Sequence, residues 1–163
     1  MDSIFVTVGT TRFDSLIDKI LDPSTIKLLQ DIGCKKLTIQ KGSSPAKTLI
    51  PQPTGIDVEV FDYAPTIIDH IEKANFVIGH SGAGTILDVL RCGKPLLVVI
   101  NDSLMDNHQT ELADKLSAEG FLKSCTVDTL KSALKSFNSD SIKKFPAPNL
   151  DTFPKFLDKV FQF

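Results

Sequence analysis

The sequence is poor in cysteine and has no tryptophan. Its three cysteines, Cys34, Cys92 and Cys125, are odd in number and lie far apart along the chain. That spacing fits neither a disulfide framework nor the paired cysteines of a zinc site. We therefore expect a protein of a reducing compartment, most simply the cytosol.

Long apolar runs are also missing. No stretch of the sequence approaches the roughly 18 consecutive apolar residues that a membrane-spanning helix needs. The first residues, MDSIFVTVGTT, place no basic region before their apolar run and lead directly into a predicted strand. We expect neither a membrane span nor a signal peptide.

The chain has no marked excess of charge. Its 18 Lys and Arg residues nearly balance 20 Asp and Glu residues, which gives a net charge of −2 at pH 7. Proteins that bind nucleic acid through its phosphates usually carry a basic surface, so no nucleic-acid partner is expected. The 163 residues, 42% of them hydrophobic, suit one soluble domain with a substantial core, and no internal repeat interrupts them.

Several motifs of nucleotide and acyl chemistry are absent. The spacing from Gly79 to Gly84 imitates a P-loop, but Thr85 stands where the phosphate-binding lysine belongs, which disfavours an NTPase. Gly9 lacks the further glycines of the dinucleotide fingerprint GxGxxG. No GxSxG elbow occurs, and HSG alone places no base beside Ser81.

Metal-binding patterns are absent as well. His70, His80 and His108 lie on three different segments without the spacing of zinc ligands, and the sequence has no DxD motif. We therefore expect neither a metal ion nor a cofactor.

The strongest positive pattern is Asn75–Glu111, NFVIGHSGAGTILDVLRCGKPLLVVINDSLMDNHQTE. It predicts a strand, a Gly-rich loop, a helix, a strand and a polar loop, which together make one βαβ unit of a parallel sheet. Both loops follow the carboxyl ends of strands, where open α/β sheets bind ligands. Gly82, Ala83 and Gly84 let backbone N–H groups approach an anion at a helix start, and the polar loop can hydrogen-bond hydroxyl groups. This combination favours a nucleotide-sugar as ligand.

Hydrophobic periodicity and turn residues predict further elements on both sides of this unit. Asp14 is predicted to cap the first helix, Pro23 to divide two helices, and Pro65 to begin a helix that runs through Ala74. The predicted fold is α/β, a Rossmann-like parallel sheet with helices on both faces. Strands are predicted in SIFVTVG, KKLTIQKG, IDVEVFDY, NFVIG, PLLVVI and FLKSCTV, and helices in FDSLIDKILD, PSTIKLLQDIG, ILDVLRCG, MDNHQTELADKLSAEG and DTLKSALKSF.

The chain divides into two predicted parts. Residues 1–145 form the α/β domain, and residues 146–163 form a Pro-rich linker with a C-terminal helix. This tail is either a contact surface for a partner or a closure of the domain's own core. Its apolar residues share one helical face: Phe153, Phe156, Leu157, Val160 and Phe161.

Four stretches in order carry a resemblance to a known family: VTVGTT, TIQKG, VEVFDYAPTIIDHIEKANFVIGHSGAGTILDVLRCGKPLLVVI and DNHQTELA. Together they resemble the UDP-sugar-binding, C-terminal half of GT-B glycosyltransferases, and they are most similar to the family of the bacterial lipid-linked N-acetylglucosaminyltransferase that makes peptidoglycan precursor. The resemblance spans residues 3–122. A free-standing half this short resembles the eukaryotic donor-binding subunits of two-chain enzymes within that group.

The resemblance implies an activity and a partner. It implies inverting, metal-independent transfer of GlcNAc from UDP-GlcNAc to GlcNAc-diphosphodolichol, the second sugar of the lipid-linked N-glycan precursor. It also implies a membrane-anchored glycosyltransferase subunit that completes the GT-B cleft and brings the lipid acceptor. The chain would then be cytoplasmic and recruited to the cytosolic face of the endoplasmic reticulum membrane. No catalytic base is identified.

Two other classes of function stay open from the residues themselves. One is a non-catalytic nucleotide-sugar-binding regulatory subunit, which the polar loop able to contact sugar hydroxyls disfavours. The other is a nucleotide-binding α/β phosphotransferase, which the missing P-loop lysine disfavours.

The resemblance further implies donor-binding roles. The end of the FDY strand corresponds to the uracil site, held mainly by backbone groups, and the SGAGT loop corresponds to the diphosphate site. Asp88 takes the place of a ribose-binding acid that is usually Glu, while Gln40-Lys41-Gly42 line the cleft. The expected donor-binding residues are Gly9, Thr10, Thr11, Phe61, Asp62, Tyr63, Ser81, Gly82, Ala83, Gly84, Thr85, Asp88, Asn107, His108 and Gln109.

Each of these assignments has a structural alternative. The SGAGT glycines can serve close helix–strand packing, Asp88 can be a solvated helix residue, and His108–Gln109 can cap a helix. Tyr63 can be ordinary packing. His80 is expected to be a structural histidine at a strand end, and Lys41 a solvated lysine.

Overall fold

The computed structural model describes residues 1–45, 55–103, 108–146, 155 and 158–159, without the side chains at 108 and 109. Within this part the chain forms alternating strands and helices, with a 3₁₀ turn at Ser139–Ser141. The strands are β1 (Ser3–Thr7), β2 (Lys36–Gln40), β3 (Asp57–Phe61), β4 (Phe76–His80), β5 (Leu96–Ile100) and β6 (Lys123–Thr126). The helices are α1 (Asp14–Leu21), α2 (Pro23–Asp31), α3 (Ile68–Lys73), α4 (Ala83–Arg91), α5 (His108–Ala118) and α6 (Leu130–Ser136).

The strands form a single sheet in the order β3-β2-β1-β4-β5-β6, and every neighbouring pair is parallel. A parallel sheet must be covered on both faces, and the sequence provides for this with continuous apolar runs. All five residues of β4 are buried. One face packs against α1, α2 and α6, and the other against α3, α4 and α5. The predicted Rossmann-like α/β fold with helices on both faces is confirmed.

The order of the strands locates the crevice of the sheet. From β1 the chain builds outward through β2 to β3, and it then returns to place β4 on the other side of β1. The loops that follow β1 and β4 therefore run in opposite directions across the sheet. Open α/β sheets bind ligands at this switch point, at the carboxyl ends of the strands.

The start of α1 differs from the prediction. Asp14 is the first residue of the helix rather than its cap, and Phe13 at the cap position contributes no side-chain hydrogen bond. The Arg12 guanidinium donates to the Asp14 carboxylate at 2.7 Å. The backbone of Phe13 is held from a distance, because its N–H donates to Ser44 Oγ at 2.7 Å. No local pattern in the sequence indicates such a long-range contact.

Helix α3 begins at Ile68, three residues after the predicted start at Pro65. Thr66 Oγ1 accepts a hydrogen bond from the Ile68 N–H at 3.3 Å, and this side-chain contact leads into the helix. Residues 65–67 consequently lie outside the helix. Proline is favoured in the first turn of a helix, but it is equally compatible with turns, so its position alone could not fix the boundary.

Helix α4 begins at Ala83, earlier than the predicted helical segment ILDVLRCG. Gly84 and Thr85 therefore belong to the first helical turn rather than to a preceding loop. Glycine weakens a helix interior, but the first N–H groups of a helix have no partner within it in any case. For α5, the predicted start at Met105 lies outside the described residues, as do residues 46–54 of the predicted Pro-rich loop and the apolar face of the tail.

The negative expectations were tested within the described ranges. There, no helix is both long and apolar enough to cross a membrane. The same residues contain no group of His, Cys, Asp and Glu side chains placed to hold a metal ion. All three cysteines are free thiols. Burial raises the pKa of Cys34 to about 11 and that of Cys125 to about 12, which makes both inert as nucleophiles at neutral pH.

We predict that the central strand β4 carries much of the stability. Ile78 is fully buried in the sheet. Ile78→Ala should lower the free energy of unfolding by about 2–5 kcal/mol, whereas Ile78→Val, which removes one methylene group, should cost only about 0.5–1.5 kcal/mol. Urea denaturation of both variants measures the two values. Equal and small losses would mean that this position is not tightly packed.

Candidate functional site

The carboxyl ends of β1, β2 and β3 are tied to one another. Inside the sheet edge, Thr7 Oγ1 donates to Gln40 Oε1 at 2.5 Å. The Val8 N–H donates to the Gln40 carbonyl at 3.3 Å, and the Lys41 N–H donates to the Phe61 carbonyl at 2.9 Å. These bonds fix the starts of the three loops that leave the sheet here.

A cleft of about 260 Å³ opens above these strand ends. It brings together four of the predicted donor-binding residues, which come from the β1 loop, the β3 loop and α4. The lining residues are Gly9, Thr10, Gln40, Tyr63, Ala64, Pro65, Thr66, Ile67 and Asp88. The segment 64–67 was not predicted to contribute, and residues 65–67 of it were predicted to be helix.

The N-terminus of α4 forms one end of the site. Gly82 occupies the cap position, and no side chain caps the helix there. Ala83 and Gly84 are exposed, and a Cβ placed on Gly84 would meet no atom within 4 Å. The first turn contains no acidic residue. Uncapped N–H groups at the positive end of a helix dipole, with open space above them, suit an anion.

The imidazole of His80 lies directly beneath this turn. A Cβ placed on Gly82 would stand 2.8 Å from His80 Cε1, and closer still to Nε2, so no residue larger than glycine fits at position 82 while the ring stays in place. The glycine at 82 therefore serves the packing of His80, in addition to any approach by a ligand. Ser81 beside it is buried. Burial lowers the pKa of His80, and the backbone of Thr7 opposes this effect only in part.

The loop after β1 is held in a defined shape. Gly9 has φ +62°, a conformation that favours glycine, and its N–H donates to Thr7 Oγ1 at 3.0 Å. Thr11 Oγ1 donates to the Val8 carbonyl at 2.7 Å, so this predicted donor-binding hydroxyl is used within the loop. A Cβ on Gly42 would collide with the Thr11 carbonyl oxygen, which shows how closely the loops after β1 and β2 approach.

The end of β3 uses its three predicted residues in different ways. The Phe61 ring stacks on His70 at a centroid distance of 4.7 Å and is therefore part of the packing. The Asp62 carboxylate pairs with Lys41 Nζ at 2.7 Å. Tyr63, by contrast, is 64% exposed at the rim of the cleft. Of the three side chains, Tyr63 is the one free to meet a ligand.

Lys41 is not the solvated lysine that the sequence suggested. Its side chain is only 20% exposed, and Nζ also donates to the Ser44 carbonyl at 3.1 Å. The lysine therefore joins the loop after β2 to the end of β3.

Asp88 lies one helical turn beyond Gly84 on α4 and lines the same cleft as Tyr63. It is half-buried, which disfavours the alternative that it is simply a solvated helix residue. The polar loop is less fully described: Asn107 lies outside the described residues, whereas His108 and Gln109 open α5. The structure thus brings together the predicted diphosphate and nucleoside regions, and the sugar-contacting side chains remain a prediction.

Comparisons with known proteins were made on both sequence and fold. The chain matches the glycosyltransferase family 28 C-terminal domain over residues 3–158. It is 42% identical to the Homo sapiens protein named UDP-N-acetylglucosamine transferase subunit ALG13 over 133 residues, which are 80% of this chain but 11% of that protein. The protein of the same name from Cryptococcus neoformans var. neoformans serotype D is 32% identical over 191 residues, with 97% of this chain and 96% of that one covered.

Two solved structures share the fold. The NMR solution structure of ALG13 superposes with a TM-score of 0.71 at 29% identity, covering 96% of this chain and 94% of that one. The crystal structure of Acinetobacter baumannii MurG gives a TM-score of 0.71 at 18% identity. The superposition covers 99% of this chain and 50% of the MurG chain. The match over residues 3–158 and the shared fold show that the chain belongs to the glycosyltransferase family 28 C-terminal domain family.

Proposed function

We propose that this chain is the donor-binding subunit of a glycosyltransferase that moves GlcNAc from UDP-GlcNAc to GlcNAc-diphosphodolichol. The observation that carries the proposal is the cleft at the switch point of the sheet, which Tyr63, Asp88 and Gly9 line. The open N-terminus of α4 adjoins it, because a Cβ on Gly9 would stand 3.8 Å from Thr85 Oγ1. The names of the relatives point to the same donor, because they contain the words UDP-N-acetylglucosamine transferase subunit.

The diphosphate is assigned to the first turn of α4. Its N–H groups and the helix dipole can stabilise two negative charges without a metal ion. The same groups stabilise the charge that develops on UDP as it leaves. Ser81 to Thr85 therefore supply electrostatic stabilisation in this proposal, mainly through their backbone, for an inverting transfer.

The nucleoside is assigned to the wall formed by the end of β3 and by α4. Asp88 is placed to accept hydrogen bonds from ribose hydroxyls, and the exposed ring of Tyr63 can cover the uracil. Backbone groups of Phe61 and Asp62 contact the base edge, because both side chains are already engaged within the protein. Gly9 and Thr10, from the loop after β1, also line the cleft.

Catalysis requires a second chain. An inverting transfer needs a base that deprotonates the attacking hydroxyl. Among the described cleft residues, Asp88 is the only carboxylate, and it is assigned to the ribose. We therefore assign the base and the lipid acceptor site to a membrane-anchored partner subunit. That partner would hold this cytoplasmic chain at the cytosolic face of the endoplasmic reticulum membrane.

Calorimetric titration of the chain with UDP-GlcNAc, UDP and ATP tests the donor assignment. We expect the chain to bind UDP-GlcNAc and UDP and not to bind ATP. Preference for ATP would support a phosphotransferase, and binding of none of the three would contradict the proposed function.

We predict that Gly84→Val weakens donor binding and leaves the fold intact. The position is exposed and has no neighbour that a side chain would strike, so stability should hardly change. A branched side chain over the first N–H groups of α4 should weaken UDP binding by about tenfold or more, which is about 1.4 kcal/mol. Calorimetry and a thermal melt measure the two effects.

Ala118→Val is the matched control, because Ala118 is exposed at the far end of helix α5 and lies outside the cleft. Unchanged UDP affinity in folded Gly84→Val would remove the N-terminus of α4 from the site.

We predict that Gln109→Ala separates sugar binding from nucleotide binding. Gln109 lies in the first turn of α5, which follows the polar loop. If its amide contacts the GlcNAc hydroxyls, the variant should lose roughly 1–3 kcal/mol of UDP-GlcNAc affinity and little UDP affinity. Parallel titrations with the two ligands measure the difference. Equal losses for both ligands would place Gln109 on the nucleotide instead.

We assign to the tail of this chain, residues 146–163, the contact with the partner subunit. Its apolar residues Phe153, Phe156 and Phe161 lie on one predicted helical face beyond a Pro-rich linker, and aromatic side chains commonly anchor interfaces. In the described part of this tail, three residues are both helical and exposed: Lys155, Asp158 and Lys159.

Deletion of residues 150–163 should therefore abolish association with the membrane subunit and preserve UDP binding. Co-purification with the partner and a melting curve of the truncated chain measure these outcomes. A truncation that unfolds would show that the tail closes the core. A folded truncation that still co-purifies in full would place the interface elsewhere, most simply on the loops around Gly9 and Gly42.

A further inference from the structure

His80 occupies an unusual place for a titratable side chain. It is the last residue of β4 and only 9% exposed, and its ring fills the space between the two glycine-containing loops of the switch point. A Cβ on Gly9 would stand 3.0 Å from His80 Cε1, and a Cβ on Gly82 would stand 2.8 Å from the same atom. The ring therefore sets the separation between the β1 loop and the N-terminus of α4.

The burial of the His80 ring is compensated only in part, by the backbone of Thr7. Nδ1 is buried, and no described residue forms a hydrogen bond with it. Among the described residues, no titratable side chain of β1, α4 or β5 perturbs the ring. Its described surroundings are Thr7, Gly9, Gly82, Thr85 and its register partner Val99. Burial in such surroundings disfavours the imidazolium, so the pKa of His80 lies below its ordinary value.

We propose that His80 is a proton-linked positioning residue of the diphosphate site, neutral when the site is empty and protonated when a nucleoside diphosphate group binds at the N-terminus of α4. This inference rests on the proposed function. An anion within about 4–6 Å favours the charged form of a histidine. A diphosphate held by the N–H groups around Gly82 would lie beside the ring, because His80 packs directly against that glycine.

Proton uptake makes donor binding depend on pH. The pKa of His80 is low in the free protein and higher in the complex, so protons are taken up on binding between the two values. Affinity should fall as pH rises from the pKa of His80 in the free protein to its pKa in the complex, and it should level off above that. Below the pKa of the free protein, His80 is protonated in both states, and the dependence should disappear. The nearest cleft carboxylate along α4, Asp88, lies a helical turn further on.

The test is calorimetric titration of the whole chain with UDP-GlcNAc near about pH 6.5, the ordinary pKa of histidine, in buffers of different ionisation enthalpy. UDP-GlcNAc is the probe because both of its phosphates are esterified and do not titrate near neutral pH, unlike the terminal phosphate of UDP. We expect uptake of up to one proton for each ligand bound. Affinity should fall by up to about tenfold for each pH unit between the pKa of His80 in the free protein and its pKa in the complex.

Two variants identify the residue that takes up the proton. His80→Gln should bind UDP-GlcNAc more weakly and without proton uptake. His70→Phe, which keeps an aromatic ring stacked on Phe61 and removes a different histidine, should retain the uptake. Should His80→Gln fail to fold, the proton resonance of His80 Cε1 in the wild-type chain, followed against pH with and without UDP-GlcNAc, reports the same shift directly.

The outcomes separate the inference from the proposed function. Binding of UDP-GlcNAc without proton uptake, or uptake that persists in folded His80→Gln, would overturn the role of His80 and leave the donor site standing. An absence of UDP-GlcNAc binding at every pH would overturn the proposed function, and the role of His80 with it.

Discussion

The structure depends on the need to bury both faces of a parallel sheet. Six parallel strands with apolar residues on both sides require helices above and below the sheet. Because the strands are parallel, each connection returns the chain to the end of the sheet where the strands begin. All carboxyl ends of the strands therefore lie together, and the order of the strands reverses there between β1 and β4. The cleft is a geometric result of this burial, and the residues around it adapt the crevice to a ligand.

The cleft is built in advance of any ligand. Hydrogen bonds from Thr7 and Lys41 join the ends of three strands, and the ring of His80 holds the β1 loop apart from the N-terminus of α4. Groups fixed in this way lose little conformational freedom on binding, so more of the interaction energy is available for the ligand. This close packing also requires glycine at two positions, where a side chain would collide with a neighbouring group. Gly42 admits the Thr11 carbonyl, and Gly82 admits the ring of His80.

Sequence reasoning predicted the strands well because each buried strand is a short, continuous apolar run, as in FVIGH and LLVVI. It was less accurate at helix starts, where contacts distant in sequence decide the boundary. Ser44 holds the entrance to α1, and Pro65 is compatible with either a turn or a helix. In the candidate site, the sequence identified the Gly-rich turn and Asp88. It missed the pairing of Lys41 with Asp62, because pairing between the ends of adjacent strands depends on register and leaves no local pattern.

The Lys41–Asp62 pair has a mechanical consequence for the cleft. The Asp62 side chain is 74% exposed, so salt in the surrounding solution screens its attraction to Lys41. The N-terminus of α4, by contrast, belongs to a helix whose inner face is buried in the core through Ile86, Val89 and Leu90. Ionic strength therefore acts unevenly on the two walls, loosening the rim at the end of β3 while the α4 wall stays rigid. A charged surface that approaches Asp62 would have the same effect, and contact with another protein could thereby widen the cleft from one side.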